Sequence, residues 1–145
     1  MKDLSLDEYR ALAEFRHQVR RFLCFSEEQV RALGIEPQQH QLLLAIKGLP
    51  EGALATIGEL AERLQLRHHS TVELVNRLEK QGHVVRELSK HDRRQVIVHL
   101  TTSGAAMLRR LSLAHHQELE TAGPLLTKAL SAIGRQHRAK RGRAA

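Results

Sequence analysis

Two short helical segments separated by a break of a few residues constrain the fold of this chain more than any other feature. The first, "TIGELAERL", opens with Thr56 and Glu59 in the spacing of a capping box, in which each side chain accepts a hydrogen bond from the other residue's backbone N–H. After the break "QLR", "HHSTVELVNRLEKQG" carries a stripe typical of a buried helix face, formed by Thr71, Leu74, Val75 and Leu78. Gly82 is typical of a helix C-terminus. This separation predicts a helix-turn-helix.

A β-hairpin is predicted directly after these helices. "HVVREL" and "QVIVHL" read as strands, and in the second Val96, Val98 and Leu100 alternate with polar residues, which is the period of a strand with one buried face. Since an isolated two-stranded hairpin is only marginally stable in water, we expect this one to pack on the helices before it. The loop "SKHDRR" carries an aspartate and two arginines where an ordinary hairpin has Gly or Asn.

Further helices are predicted on both sides of this motif. A 3-4 spacing of apolar residues from Leu6 to Phe25 predicts one helix, and "PQQHQLLLAIKG" predicts a short one that ends at Gly48. After the hairpin we expect a helix through "AAMLRRLSLAHHQEL", capped by Thr101 or Thr102, and a separate one from about Pro124 to Ile133. The fold class is therefore mainly α with a small β-hairpin wing: a winged helix-turn-helix with extra helices at both ends.

The net charge is concentrated in two parts of the chain. The 145 residues carry a net charge of +7 and are 41% hydrophobic, which suits one domain with a core. Residues 63–94 hold 8 basic and 4 acidic side chains, and residues 121–145 hold 6 basic and none acidic. The second region ends in "GRQHRAKRGRAA", which predicts a disordered tail able to bind any polyanion weakly. The first coincides with the helix-turn-helix and the hairpin, which favours nucleic acid as the partner.

The aromatic residues favour a double-stranded partner. All of them lie in the N-terminal helix and none in the basic region. Single strands are usually held by stacking bases on aromatic rings, which a duplex does not need. No apolar run reaches 18 residues and no charged-then-apolar segment opens the chain, so neither a membrane span nor a secretory signal is expected. The single cysteine, Cys24, fits a reducing cytoplasm.

Motifs at fixed spacings connect these elements from Ile57 to Gly104. They are L-A-x-x-L, R-L-E-x-x-G, D-x-R and L-T-x-x-G, represented here by Leu60-Ala61, Leu64, Arg77-Leu78-Glu79, Gly82, Asp92, Arg94, Leu100-Thr101 and Gly104. With this ordered set the chain resembles the MarR family of winged-helix transcriptional regulators, over roughly residues 5–135. The resemblance implies an obligate homodimer that binds a pseudo-palindromic DNA duplex. It implies a dimerisation helix and connector (1–36), a DNA-binding winged helix (37–101) and C-terminal dimerisation helices (102–134), before the basic tail (135–145).

In this family the second helix of the motif enters the major groove. The residues that could contact bases or phosphates there are His68, His69, Ser70, Val72, Glu73, Asn76 and Arg77. Two starts are open for this helix. It begins at His68, as the resemblance implies, or nearer Thr71, because Ser70 and Glu73 offer a second capping-box spacing and Arg67 occupies the position where the family commonly has a capping Ser.

The resemblance assigns the tip of the hairpin to the minor groove. The arginine matching Arg94 inserts there, with Arg93 beside it, and the negative potential of a narrow groove attracts such side chains. An aspartate would weaken this attraction if charge alone mattered. Asp92 is therefore expected to fix the direction of the Arg94 guanidinium through bidentate hydrogen bonds.

Two hypotheses concern regulation. The usual effector in the family is a small anionic or aromatic molecule bound between the dimer helices and the DNA-binding lobe, for which Arg16, His40 and Arg86 are candidate lining residues. Some members sense organic hydroperoxides through a cysteine of the first helix, in a similar L-C-F context, which makes Cys24 a redox candidate. The other interpretation of Cys24 is a small, buried, apolar side chain.

Neither a metal site nor a cofactor is expected. The adjacent pairs His68–His69 and His115–His116 point to different sides of a helix, so neither pair suits a single ion. An enzyme is not expected either, because the sequence has no Gly-rich phosphate loop, nucleophile elbow or H-E-x-x-H motif.

The sequence thus predicts a cytoplasmic, homodimeric regulator that binds specific double-stranded DNA and acts as a repressor released by a small molecule. Two alternatives remain open: a peroxide-sensing repressor that uses Cys24, and a non-specific architectural DNA-binding protein, for which the basic tail argues.

Overall fold

A computed structural model describes the backbone of residues 3–142 and the side chains of residues 3–135. Its elements, in chain order, are α1 (Leu6–Ala32), α2 (Pro37–Lys47), α3 (Ile57–Leu64), α4 (His68–Lys80), β1 (Val84–Leu88), β2 (Val96–Leu100) and α5 (Thr102–Gly142). The predicted order is confirmed as far as the hairpin, after which one long helix replaces the two predicted ones. The chain forms two compact units: Gln29–Ser112, and the described residues up to Glu28 together with those from Leu113. The predicted winged-helix segment, 37–101, lies inside the first unit.

The unit Gln29–Ser112 is built around one apolar core. Helices α2 to α4, the hairpin and the first turns of α5 all contribute fully buried side chains, among them Leu42, Leu43, Leu60, Val75, Leu78, Val84, Val98 and Leu111. Full burial of one such side chain contributes about 1.5–3 kcal/mol. The predicted stripe of α4 is confirmed, since Thr71, Leu74, Val75 and Leu78 are all buried.

The predicted capping box at the start of α3 forms only in part. Thr56 Oγ1 accepts the backbone N–H of Glu59 at 3.2 Å, as expected of an N-cap residue. The reciprocal bond is absent, because the backbone N–H of Thr56 donates to the carbonyl of Leu54 at 2.8 Å. The carboxylate of Glu59 accepts instead from Arg63, one turn along the helix, at 2.9 Å.

The hairpin is bonded on both edges of β2. In the antiparallel pair, Val84 lies opposite Leu100 and Leu88 opposite Val96. On its other edge, the backbone N–H of Val98 donates to the carbonyl of Ala55 at 2.9 Å, just before α3. The expectation that the hairpin packs on the preceding helices is thereby confirmed.

Helix α5 begins in close contact with the turn between α4 and β1. Its predicted cap is Thr101, whose Oγ1 accepts the backbone N–H of Gly104 at 3.0 Å and donates to the carbonyl of Gly82 at 2.6 Å. The backbone N–H of Thr101 donates to the carbonyl of His83 at 3.1 Å. A Cβ atom on Gly104 would lie 2.0 Å from that same carbonyl oxygen, so the position requires glycine.

The prediction of two separate C-terminal helices is wrong. Helix α5 continues through Pro124 without a break. A proline ring removes one hydrogen bond and can bend a helix without ending it. The helix continues because one stripe of half-buried or buried side chains keeps its 3-4 spacing across the proline, at His115, Glu118, Ala122, Leu126, Ala129 and Ile133.

The prediction of a disordered tail is also corrected over part of its length. The backbone of 135–142 belongs to α5, while residues 143–145 lie outside the described residues. The segment is rich in Ala, Gln, Arg and Lys, all good helix formers, and it has no proline. This basic segment therefore continues the helix.

The other unit combines the first part of α1 with α5 from Leu113 onward. In it the Nε2 atom of His115 and the Oγ atom of Ser26 are 2.6 Å apart, and the rings of Phe22 and Phe25 meet His115 edge-on. Many large apolar side chains of this unit remain exposed: Leu4, Leu6, Tyr9, Leu12, Leu23, Leu113, Leu119, Leu125 and Leu130. Among the helices described here, none is long and apolar enough to cross a membrane.

Candidate nucleic-acid interface

Helix α4 begins at His68, which decides between the two starts that the sequence left open. Arg67 is the N-cap residue in an extended conformation, and its carbonyl accepts both the backbone N–H and the hydroxyl of Thr71, each at 3.1 Å. Ser70 and Glu73 lie inside the helix, so the second capping-box spacing is not used. The buried hydroxyl of Thr71 thus keeps the first turn of α4 closed without a capping side chain.

The surface of α4 opposite the core carries the predicted contact residues. His68, His69, Glu73, Asn76 and Arg77 are exposed, while Ser70 and Val72 are half-buried at its edges. Donors, acceptors and one apolar side chain are therefore available to a groove of DNA.

The loop between β1 and β2, residues 89–95, is held by the buried side chain of Ser89. Its Oγ atom accepts the backbone N–H groups of His91 at 3.3 Å and Asp92 at 3.4 Å. The backbone N–H of Ser89 donates to the carbonyl of Gln95 at 2.8 Å. These bonds give the wing loop a defined shape. Sequence reasoning missed Ser89, although a serine followed by a polar turn is a signal for such local bonds.

Asp92 acts on the backbone of the wing. The expected bidentate bond to the guanidinium of Arg94 is absent, and one carboxylate oxygen accepts the backbone N–H of Arg94 at 3.0 Å. The carbonyl of Asp92 also accepts the backbone N–H of Gln95 at 3.0 Å. An Asx turn of this kind is the local geometry that aspartate favours. The aspartate therefore fixes where Arg94 leaves the loop and does not fix the guanidinium itself.

Arg94 and His68 line the same cleft, although they come from different elements. The cleft has a volume of about 290 Å³. Its lining combines the start of α3, the start of α4 and the base of the wing, in Thr56, Ile57, Gly58, His68, Arg94, Gln95 and Val96. Arg93 is exposed on the wing but does not belong to this lining.

Arg86 joins β1 to the C-terminal half of α4. Its Nη1 atom donates to Glu79 Oε1 at 2.7 Å, its backbone N–H donates to Glu79 Oε2 at 3.2 Å, and its Nη2 atom donates to Asn76 Oδ1. The Arg86 side chain is only 26% exposed, so this ion pair is better shielded from water than an ordinary surface pair. Sequence reasoning missed the network, because no local pattern relates a strand residue to a helix residue seven positions earlier.

Comparison with known proteins relates part of the chain to one family. Residues 33–95, from just after α1 to the wing loop, match the family model described as MarR family. An uncharacterised HTH-type transcriptional regulator of Bacillus subtilis, YcgE, is 39% identical over 91 residues, which are 63% of this chain and 57% of the relative. Over residues 33–95 the chain is similar to the MarR family. It spans about half the length of the curated MarR-type and HTH-type relatives that it matches.

Solved structures of the MarR family share the fold over nearly the whole chain. AbsC, a MarR family transcriptional regulator from Streptomyces coelicolor, gives a TM-score of 0.73 at 20% identity and covers 98% of this chain, with 99% of AbsC covered. A single-residue mutant of MepR from S. aureus, bound to an oligodeoxyribonucleotide, gives a TM-score of 0.65 at 19% identity, covering 98% and 99% of the two chains. At these identities the likeness is one of fold.

The three candidate effector residues lie in two different units. Arg16 is exposed on α1, in the part of that helix that precedes Gln29. His40 is buried in α2, and Arg86 is paired with α4 as described. The winged-helix unit contains a groove of about 370 Å³ that includes none of them. This groove is lined by Leu44, Lys47, Leu100, Ala105, Leu108, Arg109 and Ser112, so its lining combines apolar side chains with two cations.

The remaining predictions concern Cys24 and metals. Cys24 is free and exposed within its own unit, which contradicts its interpretation as a buried apolar side chain. Its position follows from the helical turn, since the neighbouring Phe22 and Phe25 point to the His115 side and are half-buried. Among the residues that the structure describes, no group of three His, Cys, Asp or Glu side chains could hold a metal ion.

Proposed function

We propose that this chain is a sequence-specific, double-stranded DNA-binding transcriptional regulator. The observation that carries the proposal is the cleft shared by His68 and Arg94. The cleft brings together the first turn of α4, which is the recognition helix in this proposal, and the arginine of the wing. One duplex could therefore contact both. The recognition helix would read the major groove, and Arg94, with Arg93 beside it, would enter the neighbouring minor groove.

The distribution of charge supports this orientation. Residues 63–94, which include α4 and the wing loop, hold most of the positive charge of the winged-helix unit. Cations that face phosphates supply most of the sequence-independent affinity for DNA and steer its association. A neighbouring MarR family structure, that of the MepR mutant, contains an oligodeoxyribonucleotide, which is consistent with the same use of the fold.

The working form is a homodimer, in this proposal. Leucines of α1 and of α5 beyond Leu113 remain exposed within their own unit, and isolated soluble subunits rarely leave so many apolar side chains in water. A second copy of the chain covers them by presenting the same helices. The two recognition helices would then meet half-sites about one helical turn apart on a pseudo-palindromic operator, inside the cytoplasm.

We propose the groove beside α2 and α5 as the seat of the effector. Its volume of about 370 Å³ falls in the range of small-molecule pockets. Leu44, Leu100 and Leu108 suit an aromatic ring, while Lys47 and Arg109 suit a carboxylate. A small aromatic acid bound there would change the position of the start of α5 relative to α2. This change would release DNA, so the protein would act as a repressor.

Two other functions have specific observations in their favour. The exposure of Cys24 suits the peroxide-sensing alternative, in which oxidation of its thiol would release DNA. The basic composition of residues 135–145 suits the non-specific architectural alternative. The regulator is preferred because the cleft is built from three folded elements, whereas the two alternatives each depend on one feature.

Selection of duplexes from a random pool by the purified chain tests the proposal. A regulator enriches one pseudo-palindromic sequence, and the chain without residues 135–145 enriches the same one. Enrichment of no sequence, with binding that the deletion abolishes, would establish the architectural alternative. If hydroperoxide abolishes binding and Cys24→Ser prevents this loss, the redox alternative is established. If benzoate releases the DNA and the double variant Lys47→Gln, Arg109→Gln prevents this release, the effector groove is supported.

The contribution of the wing is tested on the selected operator. Arg94→Ala should weaken binding by about 1–3 kcal/mol, because it removes a cation from a groove contact. Arg110→Ala is the matched control, since Arg110 is also exposed but lies on α5 outside the cleft. Equal affinities of the Arg94 variant and the wild type would refute the role of the wing.

A further inference from the structure

The side-chain amide of Asn76 has a fixed orientation in this structure. Asn76 lies on the exposed surface of α4, three residues after Glu73 and seven after His69, so the three share one side of the helix. Its Oδ1 atom accepts a hydrogen bond from the Nη2 atom of Arg86. An arginine side chain has only donors, so the amide atom that faces Arg86 must be the oxygen.

Arg86 is itself held in place before it reaches Asn76. Both carboxylate oxygens of Glu79 are used on Arg86, one by the guanidinium at 2.7 Å and one by the backbone N–H at 3.2 Å. Asn76 therefore binds a guanidinium that a strand and an ion pair position together. A hydrogen bond from a charged donor is about twice as strong as one between neutral groups, which gives the amide orientation its stability.

The consequence concerns the atom that Asn76 can offer to a ligand. Oδ1 and Nδ2 are the two branches of the planar amide, so the bond to Arg86 directs Nδ2 away from that guanidinium. The usual reading of adenine by asparagine needs both atoms at once, since Oδ1 accepts from the N6 amine and Nδ2 donates to N7. One of the two lone pairs of Oδ1 is used on Arg86, so reading adenine would need a second bond to an oxygen already directed at Arg86. Nδ2 carries two N–H donors and has no such constraint.

We propose that Asn76 contacts DNA as a hydrogen-bond donor to an acceptor atom and does not read the amine of adenine, with Arg86 as the residue that imposes this choice. The inference rests on the proposed DNA-binding function. The acceptor is either on a base edge of the major groove, such as guanine O6 or N7 or thymine O4, or a phosphate oxygen. Arg86 is thus a positioning residue that determines specificity without contacting DNA.

Double-mutant cycles between protein and DNA test the proposal on the operator selected by the wild-type chain. Asn76→Ala should weaken binding about three- to tenfold, the effect of one lost hydrogen bond. In the DNA, 7-deazaguanine, 6-thioguanine and 4-thiothymine alter base acceptors, methylphosphonates alter phosphate acceptors, and purine in place of adenine removes the N6 amine. One acceptor substitution should weaken wild-type binding and have no further effect on the Asn76→Ala variant.

The kind of substitution that couples to Asn76 identifies the acceptor. Coupling to a modified base supports a base-edge contact, and coupling to a methylphosphonate supports a phosphate contact. Coupling to removal of the adenine amine, or to no substitution at all, would overturn the inference. A failure to select any operator would instead overturn the proposed function, so the two failures are distinguishable.

Two further variants test the part played by Arg86. Arg86→Met keeps an unbranched stem but donates no hydrogen bond, so the amide is released and the coupling of Asn76 to its acceptor should disappear. Lys80→Met is the matched control, because it also replaces a cation by methionine but Lys80 is an exposed residue of α4 outside the Arg86 network, so the coupling should persist. Unchanged coupling in the Arg86→Met chain would refute the positioning role, provided that circular dichroism shows the variant folded.

Discussion

Replacement of Gly104 by alanine should be among the most damaging single-methyl changes in the winged-helix unit. The added Cβ would lie 2.0 Å from the carbonyl oxygen of His83, and 2.9 Å from its carbon. Real Cβ atoms essentially never approach closer than 3.0 Å, so the start of α5 must move by about 1 Å away from the turn. The clashing atoms belong to the backbone, so no change of side-chain rotamer can relieve the contact.

The cost of that movement can be worked from the bonds that it breaks. Overpacking alone costs about 1–3 kcal/mol. The bonds from the Thr101 N–H to His83 and from the Thr101 hydroxyl to Gly82 span the same contact, at 3.1 and 2.6 Å, and each contributes about 1 kcal/mol. Alanine returns about 1 kcal/mol through its better helix propensity. The net loss should be about 2–4 kcal/mol.

Thermal unfolding at one fixed protein concentration is the measurement, because the stability of a dimer depends on concentration. For a chain of this size the loss corresponds to a decrease in Tm of about 4–16 °C. Gly58→Ala is the matched control, since a Cβ there meets nothing within 4 Å and the residue also lies in a helix. That variant should be equally or slightly more stable. A Gly104→Ala chain with wild-type Tm would refute the close-approach argument.

Three further changes have distinct expected outcomes. Thr56→Ala removes the cap of α3 and should cost about 1 kcal/mol in urea unfolding, whereas Thr56→Ser should retain most of it. Ser89→Ala frees two backbone N–H groups of the wing loop. It should speed their hydrogen exchange and weaken operator binding, with little change in Tm. Unchanged exchange would contradict the role of Ser89. Leu12→Lys should shift the chain towards monomer in light scattering, unlike Leu54→Lys, which places the same charge on an exposed leucine of the other unit.

The elements that local rules govern are the ones that the sequence predicted. The stripe of α4, the alternation in β2 and the Thr56 cap each depend on residues a few positions apart, and all three are present. The break predicted at Pro124 failed because the proline rule considers one position, whereas the apolar stripe on both sides of it favours a continuous helix. The basic composition of 135–142 predicted disorder, but composition alone does not exclude a helix there.

The candidate site was predictable as a set of residues but not as a set of contacts. His68 and Arg94 could be named from the motifs, yet only the fold shows that they line one cleft. Arg16, His40 and Arg86 remain a prediction, and the groove proposed here for the effector has two other cations, Lys47 and Arg109. Side chains that meet across elements leave no periodic signal in the chain.

Asp92 shows how the same residue type can serve a different physical role from the one that charge suggests. Next to two arginines, a carboxylate is expected to pair with a guanidinium, but here it accepts the backbone N–H of Arg94. A carboxylate bound to the backbone leaves the Arg94 guanidinium available to DNA and adds no competing ion pair that binding would have to break. Asp92→Asn retains the side-chain oxygen that makes this bond and should preserve operator affinity, whereas Asp92→Ala should lose it. Equal losses in both variants would show that the negative charge, and not the turn, is what the wing requires.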